Sequence, residues 1–424
     1  MATESDVVVY GATGFTGSRV VKTLLQVAPQ SCRVAVGGRD KGKLLAVLRD
    51  IGAENKAEVV IADVNDEASL IDMAKSTRLV LNCVGPYRLW GDAVVSACIK
   101  GKAHYLDISG EPEFIEEMEY KYHNRAQEAG VIIASAAGFD SVPADMGTLF
   151  TLQQPQAPAR ITMVDSFLTL ATGSAGFRGH FPTWQCAVLG VAAAGELRAL
   201  RTKMKDEGKS PAPPAIPGPK PSRSAGARFS KTVNAWALPF IGADASIVRR
   251  SQAALAAQGM PATHYTAMFT VGSRWSVFLF GLFGSVFMKL ARTSWGRGLL
   301  LRYPSLFSYG LFSHDGPTEE MMAQTRFSMT FVARGFKSGA PVQASDKPDM
   351  QIVTRVEGPE PGYVATPIFL SAAGLTLLEE ESALRSSPGV HTVATLFNGT
   401  SYLDKLQQHG ISFSVVSDGQ VTGF

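Results

Sequence analysis

Asp6-Val7-Val8-Val9-Tyr10-Gly11-Ala12-Thr13-Gly14-Phe15-Thr16-Gly17 decides the fold of this chain. A valine-rich run leads into glycines spaced G-x-x-G-x-x-G, and an amphipathic stretch follows to Val27, just ahead of Pro29. The order reads strand, tight turn, helix. Glycines in such a turn let backbone approach a ligand closely, and the helix N-terminus aims N–H groups at negative charge. A dinucleotide pyrophosphate needs both. Three glycines alone are a weak signal; their place between an apolar strand and a helix gives them meaning. Gly11, Ala12, Thr13, Gly14, Phe15, Thr16 and Gly17 are therefore the expected pyrophosphate site.

The pattern continues outward. Runs rich in Val, Ile or Leu fall at residues 6–10, 33–37, 58–62, 78–84, 104–108 and 131–135, separated by helical stretches. The fifth of these, 111–129, stops at Gly130, a residue suited to the left-handed conformation of a helix end. Six strands with five crossovers predict an α/β chain whose residues 1–149 form a Rossmann domain, a doubly wound parallel sheet. Residues 150–424 are expected to form a second α/β domain for substrate binding or dimerisation, with strands at 159–170, 325–334 and 350–357. Prolines, glycines and serines over 205–231 predict a mobile surface loop.

The end of the second strand discriminates between cofactors. An acidic residue there binds the ribose 2′-hydroxyl of NAD, and an arginine accepts the 2′-phosphate of NADP. Gly37 and Gly38 replace the acid and Arg39 follows, with Lys41 and Lys43 nearby, so NADP(H) is favoured over NAD(H). Asp40 reads either as a ribose acceptor or as a helix N-cap. Asp63 and Val64 stand where an adenine ring would be contacted, although Asp63 also reads as the next N-cap. Cys83, Val84, Gly85 and Pro86 follow the fourth strand, at the carboxyl edge of the sheet on the nicotinamide side. Two catalytic candidates lie beside them. Tyr87 could donate a proton, with a packed tyrosine as the alternative. Asp140, in Phe139-Asp140-Ser141-Val142-Pro143-Ala144-Asp145 after the sixth strand, is either an acid or an N-cap.

Other classes are disfavoured. A formal net charge of +3 over 424 residues is too small for a nucleic-acid surface. Cys32, Cys83, Cys98 and Cys186 are too scattered for a disulfide framework, and neither they nor the seven histidines show metal-ligand spacing. A reducing compartment is expected. No tyrosine has a lysine four residues later, which excludes the Tyr-x-x-x-Lys pair of short-chain dehydrogenases. The strand pattern beginning at Asp6 leaves no room for a leader peptide, so an intracellular location is expected.

About a third of the aromatic residues crowd into 265–312, a ninth of the length. Within it, the uncharged run 276–288 lies between Arg274 and Lys289 and falls short of the roughly 20 residues that span a bilayer. Two readings remain, a helix buried in the second domain and one lying in a membrane interface.

GATGFTG, GGRDKGKL, NCVGPYRLWGDAVVSAC, YLDISGEPEFI and GFDSVPAD in the first third, and GYVATP at 362–367, together resemble the saccharopine dehydrogenase-like oxidoreductases. That family includes the trans-acting enoyl reductases of mycobacterial lipid synthesis. The resemblance implies a Rossmann domain, a following α/β domain and a late helix, here 368–380, returning toward the nucleotide domain. It also implies association with membranes or lipid droplets, which places the chain on the cytosolic face of such surfaces or at mitochondria. It carries over no catalytic residue.

The expected activity is NADP(H)-dependent reduction of a hydrophobic carbonyl or enoyl compound in lipid or glycolipid metabolism, by a chain that could form a homodimer. The alternatives are an amino-acid dehydrogenase of saccharopine type and a catalytically silent nucleotide-binding membrane protein.

Overall fold

Eleven elements alternate at the start of the chain: β1 (Ser5–Tyr10), α1 (Phe15–Val27), β2 (Val34–Gly38), α2 (Lys41–Asp50), β3 (Ala57–Ile61), α3 (Glu67–Lys75), β4 (Thr77–Asn82), α4 (Tyr87–Gly101), β5 (His104–Asp107), α5 (Pro112–Ala129) and β6 (Ile132–Ala134). The computed structural model describes residues 4–210, 214–220, 226–339, 341–384 and 387–420. Strand Gly389–His391 joins the first sheet beside β6, giving the order 389–391, β6, β5, β4, β1, β2, β3. Every pairing in it is parallel. Because β1 lies between β2 and β4, the chain reverses its winding direction there, and a crevice opens at the carboxyl ends of these strands.

The sequence dictates these elements locally. Val7, Val8 and Val9 are all buried, since helices cover both faces of a parallel sheet. Helix α1 turns Val20, Val21 and Leu24 inward, the spacing of one helical face. Gly130 ends α5 at φ 69°, the left-handed cap its sequence predicts.

The division of the chain differs from a single cut after residue 149. One compact unit comprises 1–140 and 361–409, the other 141–360 and 410–424. The segment expected as a helix over 368–380 spans Thr366–Glu379 and belongs to the first unit, packed against α1 and β4. A Cβ added at Gly374 would lie 3.2 Å from Leu81 and 3.3 Å from Leu79, so glycine sets how closely this helix sits on the sheet. The first unit thus needs the late segment to cover one face of its sheet, which a boundary read from strand periodicity cannot reveal.

The second unit is built on a seven-stranded mixed sheet, ordered 412–420, 350–359, 326–336, 160–171, 264–271, 235–239, 228–230. Strands 160–171 and 264–271 are parallel and the remaining pairs antiparallel. The expected loop over 205–231 needs correction at both ends. A helix runs to Asp206 and Arg228–Ser230 forms an edge strand; residues 211–213 and 221–225 lie outside the described residues.

The aromatic segment also differs from one of its expectations. It forms helix Arg274–Ala291, of which only 6% is buried, so it is not a core helix. Trp275 is 66% exposed and Phe278 56%. Its C-terminal end is anchored where Phe287 and Leu290 pack on a cluster of Trp184, Val188, Ala291 and Leu300, and along its length Phe280 meets Phe269 edge-on at 5.3 Å and Arg274 lies over Trp236.

Candidate active site

The glycine turn is closed upon itself. Gly11 has φ +84°, a conformation that L side chains rarely adopt, and a Cβ there would lie 2.7 Å from Val84 Cγ2. A Cβ at Gly17 would lie 2.1 Å from the Gly11 carbonyl oxygen, so the first turn of α1 packs directly on the loop. Gly14 differs. Its backbone is extended (φ −75°, ψ 162°) and the nearest atom to an added Cβ is the Gly11 oxygen at 3.3 Å. As N-cap of α1 it supplies no side-chain acceptor, and the first turn holds no acid. The positive end of the helix dipole is therefore left uncovered by any side chain, as an anionic ligand requires.

Around this turn the first unit assembles three loops. At the end of β2, Asp40 serves as the N-cap of α2, accepting from Lys43 N at 3.0 Å. This is the cap reading of Asp40, and Arg39 is exposed beside it. Asp63 folds its own loop, accepting from Asn65 N at 2.9 Å, and the cap of α3 is Asp66 instead. Tyr10 is buried beneath both loops and donates to the Ala62 carbonyl. Burial raises its hydroxyl well above the usual range, Asp63 adds to the rise and Arg39 opposes it. The third contribution is the GYVATP segment. Tyr363 sets its ring edge-on to Phe15 at 4.8 Å, and Thr366 Oγ1 accepts from Phe139 N at 3.1 Å.

The carboxyl ends of β4, β5 and β6 are joined by a buried polar network. Asn82 donates to Tyr105 Oη (3.0 Å), which donates to Asp107 Oδ2 (2.9 Å). Asp107 also accepts from Ser135 Oγ and from the backbone N–H groups of Ser109 and Ala136, each at 2.9 Å. Burial pushes its carboxyl up to about 6, against the opposing effect of these four donors. Ala136 has φ 62°, unusual for alanine and held in place by its bond to Asp107. Glu111, also buried, accepts from Tyr87 N (2.8 Å) and pairs with Arg88 Nε (2.9 Å). It does for α4 what an N-cap side chain would do, because Pro86 offers none. Sequence reasoning gave Asn82, Tyr105, Asp107 and Glu111 no roles. The available signal was polar residues closing otherwise apolar strands, since buried polar groups persist only where they are hydrogen-bonded.

Two catalytic candidates separate on these observations. Tyr87 is a packed residue: it is 5% exposed, its hydroxyl donates to the Asn82 carbonyl at 2.9 Å and its ring lies against Phe114. These contacts favour the packed alternative of its two readings. Asp140 is solvent-accessible, yet the protein around it removes enough water to raise its carboxyl above the usual range. It does not cap the following helix, whose N-cap is Ser141. A Cβ at Gly110 would lie 2.4 Å from Asp140 Oδ2, so glycine makes room for this carboxyl. Cys83 is kept as a thiol, since burial pushes it up to about 12. Among the described residues no His, Cys, Asp and Glu gather into a metal site.

A parallel sheet with a glycine-rich turn at its switch point defines the class, a dinucleotide-dependent oxidoreductase of Rossmann type. Residues 7–134 match the family model for the saccharopine dehydrogenase NADP binding domain, and the cofactor is NADP(H). Over 99% of its length the chain is 41% identical to the whole of the mouse (Mus musculus) "Saccharopine dehydrogenase-like oxidoreductase". It is 36% identical to a Caenorhabditis elegans "Lipid droplet localized protein", covering 97% of this chain and 98% of that one. It is 29% identical to a "Putative trans-acting enoyl reductase" of Mycobacterium tuberculosis, covering 96% and 97%. Saccharopine dehydrogenase (L-Glu forming) from Saccharomyces cerevisiae shares the fold, with TM-score 0.57 and 11% identity over 97% of this chain and 100% of that one. The chain belongs to the saccharopine dehydrogenase-like oxidoreductases.

Proposed function

We propose that this oxidoreductase uses NADPH to reduce a hydrophobic carbonyl or enoyl compound met at a membrane or lipid-droplet surface. The observation that carries the reading is helix Arg274–Ala291, which leaves Trp275, Phe278, Phe280, Leu282 and Phe283 in solvent. So large an apolar surface on a folded unit marks contact with an apolar partner. The names of the nematode and mycobacterial relatives support the same direction.

In this reading the Gly11–Gly17 turn and the N-terminus of α1 hold the pyrophosphate, Arg39 reads the 2′-phosphate, and Asp63 and Val64 border the adenine. Residues 83–86 border the nicotinamide ribose. When bound, NADPH supplies the hydride. Asp140, accessible after β6, serves as the acid that passes on the proton completing the reduction.

The test is consumption of NADPH, followed by absorbance, with lipid extracts and then with defined enoyl esters and long-chain carbonyls. Lipid-dependent oxidation supports the proposal. Turnover of saccharopine-type amino acids instead assigns an amino-acid dehydrogenase, and binding without any turnover leaves a silent nucleotide-binding protein. Arg39→Gln should weaken NADPH binding by about 10- to 100-fold, the size of a lost charge-assisted hydrogen bond, and leave NADH binding unchanged. Equal loss for both cofactors would remove Arg39 from the 2′-phosphate.

A further inference from the structure

Seventy residues, 245–314, contain no Asp or Glu, in a chain that carries 37 acids among 424 residues. The same stretch keeps seven cations: Arg249, Arg250, Arg274, Lys289, Arg292, Arg297 and Arg302. Five of these bracket or follow the exposed aromatic helix. Arg274 stands at its first turn, Lys289 and Arg292 at its end, and Arg297 and Arg302 on the next helix, Ser294–Arg302. Arg274, Lys289, Arg292 and Arg302 are exposed. Among the described residues none of the five pairs with a carboxylate. Arg297 donates to the Ala291 carbonyl at 3.2 Å, and Arg274 and Arg302 lie over the rings of Trp236 and Tyr303.

An apolar helix needs no such charge pattern to meet an apolar surface. A neutral lipid surface would be indifferent to it, and a second copy of this chain seated symmetrically would set cations against cations. A partner carrying negative charge above an apolar interior satisfies both features at once. We infer that helix Arg274–Ala291 and its flanking cations form a docking surface for a lipid layer that displays anionic phospholipid headgroups. The aromatic side chains enter the acyl boundary, and the cations lie at headgroup level with their stems along the apolar layer. Depletion of acids removes the repulsion that would otherwise oppose contact. This inference rests on the surface association proposed above and specifies its partner.

The experiment is flotation of the full-length protein with two kinds of vesicle, phosphatidylcholine alone and phosphatidylcholine with roughly one-third phosphatidylglycerol. Binding should be at least about tenfold tighter to the anionic vesicles and should fall in about 1 M salt, where the screening length shrinks to about 3 Å. Lys289→Gln combined with Arg292→Gln should weaken anionic binding by roughly 5-fold per charge. Phe278→Ser with Leu282→Ser should weaken binding to either vesicle.

Unchanged NADPH binding and thermal unfolding certify that each variant is folded. Equal, salt-insensitive binding to both vesicles, lost only in the apolar variant, overturns the anionic preference while surface association stands. No binding to either by folded protein overturns both. Concentration-dependent self-association abolished by the apolar variant makes this face a contact between copies and also overturns the inference.

Discussion

Gly14 and Gly17 carry the same residue type three positions apart, and the structure separates what each does. At Gly14 the backbone is extended and an added methyl finds the Gly11 oxygen at 3.3 Å, so alanine needs only a few tenths of an ångström. The expected stability cost of Gly14→Ala is about 0.5–1 kcal/mol, the difference between glycine and alanine at an N-cap. In the proposed placement of the pyrophosphate over the uncapped end of α1, however, the methyl adds bulk at the N-cap that the ligand approaches. NADPH affinity should therefore fall at least about tenfold, or ~1.4 kcal/mol. At Gly17 the methyl would sit 2.1 Å from the Gly11 carbonyl oxygen, which is backbone and cannot swing aside. Gly17→Ala should cost roughly 1–3 kcal/mol of stability, as overpacking does, besides weakening cofactor binding. Urea unfolding and titration of nicotinamide fluorescence measure the two quantities on each variant. A Gly14→Ala protein that binds NADPH like the parent would refute the placement of the pyrophosphate over this turn. Equal destabilisation by both substitutions would refute the packing argument.

Asp107 titrates near 6 in the folded chain against about 3.8 in the unfolded one. The folded state then holds more protons between these values, so this group lowers stability as pH rises from about 4 to 6, by roughly 3 kcal/mol in all. Asp107→Asn lacks that titration. Unfolding curves of parent and variant should diverge across this range, and parallel curves would show that the carboxyl is not destabilised by burial. Glu111→Gln leaves Arg88 paired with Glu113 and α4 with a weaker cap; a loss of about 1–2 kcal/mol is expected in chemical denaturation. A change below about 0.5 kcal/mol would mean that Glu111 does not hold the start of α4.

Much of the first sheet could be read directly. The strand expected at 6–10 is Ser5–Tyr10, and α1 has the expected limits of 15 and 27. These elements are set by local pattern: period, breaker and cap act within a few residues. Strand 389–391 escaped because three residues carry no period. The polar network escaped for a different reason. Nothing local says that Asp107 turns toward Ser135, 28 residues on; parallel pairing brings β5 beside β6 and aligns them. The two readings of Tyr87 could not be separated locally for the same cause, since its hydroxyl partner is a carbonyl of the preceding strand end.

The clearest division between the two levels lies in a pair of helices. Arg274–Ala291 and Pro361–Glu379 are both long and apolar enough to cross a membrane, and their mean hydropathy is nearly the same. One is 6% buried and the other 78%. By itself the sequence determined the parallel nucleotide fold, the glycine turn between β1 and α1 and the apolar character of both helices, because those follow from residue type and spacing. Which helix fills a core and which faces outward depends on whether a complementary surface exists elsewhere in the chain. The helix that begins at Thr366 meets one in α1 and β4, across nearly three hundred residues of sequence. Helix Arg274–Ala291 meets a core cluster at its last turns, around Trp184 and Leu300, and elsewhere makes isolated ring contacts such as Phe280 with Phe269. Burial of apolar surface is non-directional and blind to sequence distance, so only the tertiary structure could decide between them.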